Sequence, residues 1–383
     1  MKKTYIDTAM ERIAPDLILK GGNVVDVFSG RVIKADVIIK DGIICGVGSY
    51  SGENEQDVSG KYIMPGFIDS HVHIESSMTQ PSEYAKAVMP HGITTVIADP
   101  HEITNVCGED GLEFMLKSAK NIPLDVNLML PSCVPATPFE HTGANLDAKT
   151  TQKLAPKFFG IGEMMNYPGI VSGDDETLGK LCLDIIDGHA PLLSGHELDA
   201  YASAGIKTDH ECSVIEEMTE KISKGMYILL REGTLSLDVA KLIKGVTPYT
   251  LRRCAFCTDD RFVGEIIRDG SIDHCIRKAV SLGLNNIDAI IMATLNACEM
   301  YGMKNKGAIA PSYVADIVVA DDLNLSSISQ VYKNGKLVCE NGKALFECET
   351  VDNSKITNTV HLPKISADFF KTDVKDKFDA IEL

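Results

Sequence analysis

Short apolar runs separated by turn pairs fill both ends of the chain. DLILKGGNVVDVFSG (16–30) sets Gly21-Gly22 between two apolar stretches and reads as strand, turn, strand. VIKADVIIKDGIICGVG (32–48) carries Asp41-Gly42, a strong hairpin signal. The far end has the same texture. GAIAPSYVADIVVADD (307–322) and ISQVYKNGKLVCENGKAL (328–345) alternate, with turns expected at Asn334-Gly335 and Asn341-Gly342. Residues 1–64 and 304–350 are therefore expected to build one small β-sandwich from both chain ends.

The pattern changes between them. Eight apolar runs recur: YIMPGFIDSHVH, GITTVIADPHE, DVNLMLPSC, FFGIGEM, LDIIDGHA, AGIKTDHE, MYILLREG and RRCAFCTDD. Segments of helical period separate them, such as EDGLEFMLKSAK (109–120) and SVIEEMTEKISKG (213–225). Eight strand-helix units over residues 65–303 predict an α/β fold with a TIM-like (β/α)8 barrel. Residues 351–383 are polar and uneven and read as an irregular tail.

Composition narrows the function classes. With 44% hydrophobic and 24% charged residues, the 383-residue chain has material for a large core. Its net charge of −17 is repelled by nucleic-acid backbones and anionic bilayers, so neither is expected as a partner. The start, MKKTYIDTAMERIAPD, lacks the apolar region of a signal peptide, and no apolar run nears membrane-spanning length. A cytoplasmic location is the expectation. Eleven cysteines, odd in number and scattered, read as free thiols. Cys254-x-x-Cys257 lacks the second pair that a zinc site needs.

GFIDSHVHIESS (66–77) starts the chemistry. On a strand, His71 and His73 point to the same side and aim two imidazoles at one place. Alone, this spacing suits a metal or plain alternation. The other runs decide. In barrels of this kind the active site lies at the C-terminal strand ends. There the second run offers Asp99, His101 and Glu102, the fourth Glu163, the fifth His189, the sixth Asp209 and His210, and the eighth Asp259 and Asp260. So many imidazoles and carboxylates on one rim cost desolvation energy unless cations pair them. Histidines with carboxylates suit zinc, manganese or iron rather than calcium or magnesium. Two such ions bridged by a carboxylate bring the pKa of water toward neutrality, and an adjacent carboxylate can move its proton to a leaving group. That machinery hydrolyses polarised C–N bonds.

At these residues the chain resembles the amidohydrolase superfamily. Glu163 in GEMMN stands where ring-opening members carry a carboxylated lysine. With SHVHIESS, ADPHEITNV, GHAPLLSG, AGIKTDHE and CTDDR, it resembles the bacterial and archaeal adenine deaminase family over residues 16–345. The resemblance implies hydrolysis of adenine to hypoxanthine and ammonia, a purine-salvage reaction, with a purine as small-molecule partner in a homo-oligomer. It implies two divalent transition metals, manganese or iron ahead of zinc. His71, His73 and Asp259 would hold one, His189 and His210 the other, and Glu163 would bridge. Asp259 would also shuttle the proton. Asp99 and Glu102 become candidates for the acid on the ring, and His101, Glu75 and Arg231 for substrate contact. His91, His141, His196, His274 and His361 read as structural or surface residues. The family also implies a further C-terminal domain, of which residues 351–383 would be the start. Ser312 replaces a usual glycine in IAPSYVADIVV. The competing readings are an amidohydrolase that opens a cyclic amide, opposed by the absent bridging lysine, and a non-catalytic barrel, opposed by the intact ligand set.

Overall fold

Both ends of the chain meet in one mixed sheet. Its N-terminal strands are β1 (Leu17–Asp26), β2 (Arg31–Lys40), β3 (Ile43–Gly48), β4 (Glu55–Asp57) and β5 (Tyr62–Pro65). The barrel supplies β6 (Phe67–Val72), β7 (Ile93–Ala98), β8 (Asp125–Leu130), β9 (Gly160–Met164), β10 (Ile186–Gly188), β11 (Thr208–Asp209), β12 (Tyr227–Arg231) and β13 (Cys254–Cys257). The sheet is completed by β14 (Ile317–Ala320), β15 (Ile328–Lys333), β16 (Lys336–Glu340) and β17 (Lys343–Ala344). The structure is a computed structural model and describes residues 1–137 and 139–372. The end of the tail expected over 351–383 lies outside the described residues.

β5 pairs antiparallel with β14, so the order runs β17-β16-β15-β14-β5-β1-β2-β3, with β4 beside β1. This is one continuous sheet; its pairing does not divide into the two facing sheets of the expected sandwich. It curls instead. Ala315 N–H donates to Gly42 O and Gly335 N–H to Ala315 O, both at 2.8 Å, which brings the β2–β3 and β15–β16 turns together. Leu19, Val37, Ile39, Ile44, Ile63, Ile317 and Val319 fill the inside of the curl. The Asp-Gly and Asn-Gly turns form as expected, with Asp41, Asn334 and Asn341 at φ 49°, 50° and 49° ahead of their glycines. The Gly21-Gly22 turn does not. Both glycines lie inside β1, and the register against β2 shifts there. Gly21 at φ 71° makes a bulge, its N–H held by Asp36 Oδ1 at 2.8 Å. Ser312, also left-handed at φ 70°, bonds Ile44 O through its N–H at 2.8 Å.

All eight apolar runs become parallel barrel strands, in two hydrogen-bonded groups, β6 to β10 and β11 to β13. Backbone bonds join the groups. Lys207 N–H reaches Ile186 O at 3.4 Å, and Val72 bridges to Asp259 in parallel. Outward side chains such as Ile93, Val96, Ile228, Leu230 and Phe256 pack beneath helices carrying Tyr84, Phe114, Met218, Leu242 and Ile276. Ile68, Ile97, Met129, Leu229 and Cys257 belong to small separate clusters reached by Met300, Tyr301 and Met303. Cys254 and Cys257 are buried free thiols on β13. The helix expected from residue 109 starts at His101 and breaks at Gly108 (φ 57°), so its first turn lies at the barrel rim. Among the described residues, no helix is long and apolar enough to cross a membrane.

Candidate metal centre

β6 ends in the HxH pair. His71 Nε2 and His73 Nε2 face each other at 3.1 Å, as the period of two requires. His73 Nδ1 lies 2.8 Å from Asp99 O. A carbonyl only accepts, so Nδ1 carries a proton there and Nε2 is the nitrogen that faces the cluster. His71 stacks on His210, ring centroids 4.1 Å apart.

Glu163, at the end of β9, is the centre of the cluster. Its Oε1 lies 3.4 Å from His73 Nε2 and 3.1 Å from His101 Nδ1. Its Oε2 lies 2.5 Å from His189 Nδ1 and 3.1 Å from His210 Nε2. The two oxygens thus serve different sets of imidazoles. Asp259 completes the first set, with Oδ1 3.1 Å from His73 Nε2 and 3.7 Å from His71 Nε2. The structure therefore brings His71, His73, Glu163, His189, His210 and Asp259 to one place, all buried except the half-buried His189.

Asp99 is fully buried behind Glu163 and accepts its N–H at 2.9 Å. Gly162 permits this approach, since a Cβ there would stand 2.1 Å from Asp99 Oδ2. Glu102 Oε1 lies 3.3 Å from His101 Nε2. Glu75 accepts Ile103 N–H at 3.3 Å, and burial followed by the charge of Glu102 raises its carboxyl to about 7. Arg231, expected at the substrate, commits its guanidinium to Asp259 (2.9 Å), Asp238 (3.1 Å) and Glu211. Of the histidines read as structural, His91 pairs with Asp273 at 3.2 Å, and the His196 side chain is fully exposed. His141 and His361 are exposed, and His274 is half-buried on the helix Ile272–Ser281. A cleft of about 320 Å³ opens beside Asp259, lined by Ser76, Met78, Gly233–Ser236, Asp260 and Phe262.

Sequence reasoning passed over three participants. Glu211, next to His210, pairs with Arg231 and lies 3.6 Å from His210 Nε2. Asp187 lies 3.8 Å from His71 Nδ1 and meets the Tyr301 hydroxyl at 3.1 Å; its position two residues before His189 was the available signal. Cys133 joins His101 and Glu163.

The donor set fits cations. Burial alone would raise the carboxyl of Glu163, yet His101, His189, His210 and His73 hold it well below the carboxylate range. Asp259 is held low in the same way, burial opposed by His73 and His210. Burial would lower His210, but Glu163, Asp259 and Glu211 push it up to about 9. These shifts describe carboxylates and imidazoles that pair with one another. His71 Nδ1 and His210 Nδ1 are buried without hydrogen-bond partners. A ring nitrogen bound to a cation through its other side leaves such an atom waiting for an outer partner, and Asp187 stands near that of His71.

The model of the amidohydrolase family matches residues 62–338. An adenine deaminase of Clostridium acetobutylicum is 50% identical over 369 residues, covering 94% of this chain and 65% of the relative. Adenine deaminase 2 of Desulfotalea psychrophila is 50% identical over 359 residues, covering 92% of this chain and 62% of the relative. This chain thus spans less than two thirds of either relative. Among solved structures, an enamidase superposes with TM-score 0.64 at 18% identity, over 87% of this chain and 97% of the enamidase, a likeness of fold.

Proposed function

The chain belongs to the amidohydrolase family, and from that premise we propose that it hydrolyses adenine to hypoxanthine and ammonia. The observation that carries the reading is the division of Glu163, with Oε1 toward His73 and Oε2 toward His189 and His210. One carboxylate shared between two imidazole sets suits two divalent ions, and the family implies such ions. In this reading His71, His73 and Asp259 hold one, His189 and His210 the other, and Glu163 joins them. The nitrogen and oxygen donors favour manganese or iron, with zinc third. When bound, the ions supply the Lewis acidity that lets water ionise near neutral pH.

The chain's own residues do the rest. Asp259 takes a proton from the attacking water as its oxygen bonds to the amino-bearing carbon of the purine. A ring nitrogen receives a proton from Glu102; Asp99, closed off behind Glu163 and bonded to its N–H, holds that strand end in place instead. Asp259 then returns its proton to the amino group, the C–N bond breaks and ammonia leaves, while the proton left on the new hydroxyl passes back to Glu102 as the carbonyl forms. Arg231 holds Asp259 Oδ2, so Oδ1 stays turned toward the histidines. Glu75 and His101 stand on the rim where the purine edge would be met, and the cleft beside Asp259 gives the ring its entry.

The test is an adenine assay with added Mn²⁺, following loss of adenine absorbance together with ammonia release. Dihydroorotate ring opening is the control. Protein carrying two ions per chain should turn over adenine and leave dihydroorotate intact. Opening of dihydroorotate with no ammonia from adenine would refute the assignment.

A further inference from the structure

Cys133 has no part in the reaction above, yet it stands against it. It follows β8 and is buried, between the ends of β7 and β9. These three neighbouring strands bring His101, Cys133 and Glu163 together, their ligating atoms all within 4.8 Å of one another. The set is an imidazole, a thiol and a carboxylate.

Two observations point to a ligand rather than to packing. His101 Nδ1 is buried and makes no hydrogen bond, although Glu163 Oε1 is 3.1 Å away. The other ring nitrogen has Glu102 Oε1 at 3.3 Å to accept a proton, so a cation can replace the proton on Nδ1, the nitrogen that faces the cluster. Asp99 Oδ1, beside it, is also buried and unpartnered, and Asp99 Oδ2 lies 3.8 Å from the same Nδ1. Buried polar atoms without partners are uncommon in a folded interior.

We propose that His101, Cys133 and Glu163 form a third cation site, selective for thiophilic ions such as Zn²⁺ and Cd²⁺, whose filling inhibits the enzyme. The proposal rests on the two-ion reading, because it shares Glu163. Thiolate ligands select soft and borderline ions, whereas manganese prefers oxygen and nitrogen donors. The ion displaces the thiol proton, which leaves to solvent. It then draws on Glu163 Oε1, the oxygen that faces His73. Sharing that oxygen weakens the first of the two ions.

Two measurements test this. Metal-free protein titrated with ¹¹³Cd²⁺ should show two resonances of nitrogen and oxygen ligation and one shifted downfield by a thiolate. Cys133→Ser should lose the shifted signal and keep the other two, and Cys133→Ala serves if the serine variant misfolds. With manganese-loaded protein, Zn²⁺ should inhibit, and Cys133→Ser should need at least about tenfold more zinc for half-inhibition. A wild type with only the two unshifted signals overturns the third site and leaves the proposed function standing. A shifted signal that persists in both variants overturns it too, since it belongs to another thiol such as Cys107 or Cys182. A wild type with the thiolate signal alone would overturn the two-ion centre and, with it, inhibition through Glu163.

Discussion

Lys221→Met removes a cation from beneath the second half of the candidate centre. Lys221 is fully buried on the helix Ile215–Ser223. Its Nζ donates to Ala190 O and Glu217 Oε1, each at 2.7 Å, and lies 3.1 Å from Asp209 Oδ2. Methionine keeps the length and drops the charge. Burial would raise the carboxyl of Asp209, and Lys221 is the largest influence holding it below its ordinary value. Without the lysine, Asp209 keeps neutral donors, Ala190 N–H at 2.9 Å, Glu211 N–H at 2.8 Å and the Cys212 thiol at 3.7 Å. Removing one partner of a buried pair costs about 3–5 kcal/mol. Ala190 follows His189 and Asp209 precedes His210, so the same change loosens both imidazoles of one ion. Affinity for that ion should fall by roughly 10- to 100-fold.

Urea unfolding and metal titration read the two effects separately. The sign with pH is fixed. Asp209 has a depressed folded pKa, so its contribution is present above the unfolded carboxylate pKa and disappears as pH falls through the folded value. Lys221→Met should therefore lose less stability on acidification than the wild type. Adding Asp209→Asn should recover part of the loss, because an amide needs no counter-charge. A midpoint shift worth less than about 1 kcal/mol, with ion affinity unmoved, would show that the pair is not the support described.

Asp259→Asn should cut adenine turnover by roughly 10²–10⁴-fold in samples matched for metal content, while unchanged kcat would remove it from proton transfer. Gly162→Ala should push Asp99 off the Glu163 N–H, seen as fewer bound ions per chain by elemental analysis; full stoichiometry would mean that the strand adjusts freely. Ser312→Gly should stabilise the sheet by about 1 kcal/mol in urea, since a side chain in the left-handed region carries strain; a lower midpoint would show that none is stored. Asp316 is buried with Lys306 and Lys333, each 2.8 Å or less from its Oδ2, and burial is outweighed so that its carboxyl stays low. Its stabilisation is therefore present above about pH 4 and lost below, and Asp316→Asn should flatten the acid limb of stability.

The strands were legible because each carries its own period or apolar run with a polar terminus, as in IDSHVH and TVIADPHE. The Asn-Gly and Asp-Gly turns were legible because few residue pairs tolerate two successive positive φ values. Gly21-Gly22 misled, since glycine serves a bulge and a turn by the same freedom, and only the partner strand chooses between them. The candidate ligands at strand ends could be read from alternation. Lys221 and Cys133 could not, because their partners come from distant segments and a buried lysine looks like any helical lysine until Asp209 is placed beside it. Arg231 was visible as a charge at a strand end, but its three carboxylate partners were not.

The first and last barrel strands meet at the cluster itself. Asp259 N–H donates to His71 O at 3.0 Å, and His73 N–H donates to Asp259 O at 3.1 Å. The residues that would grip an ion are therefore also the stitches of the cylinder's final join, between segments far apart along the polymer. Closing so long a loop is entropically uphill until the intervening strands and helices have organised. Metal capture should then be a late event in maturation. A chelator would act first as a seam-ripper, exposing β6 and β13 to hydrogen exchange before the rest of the wall.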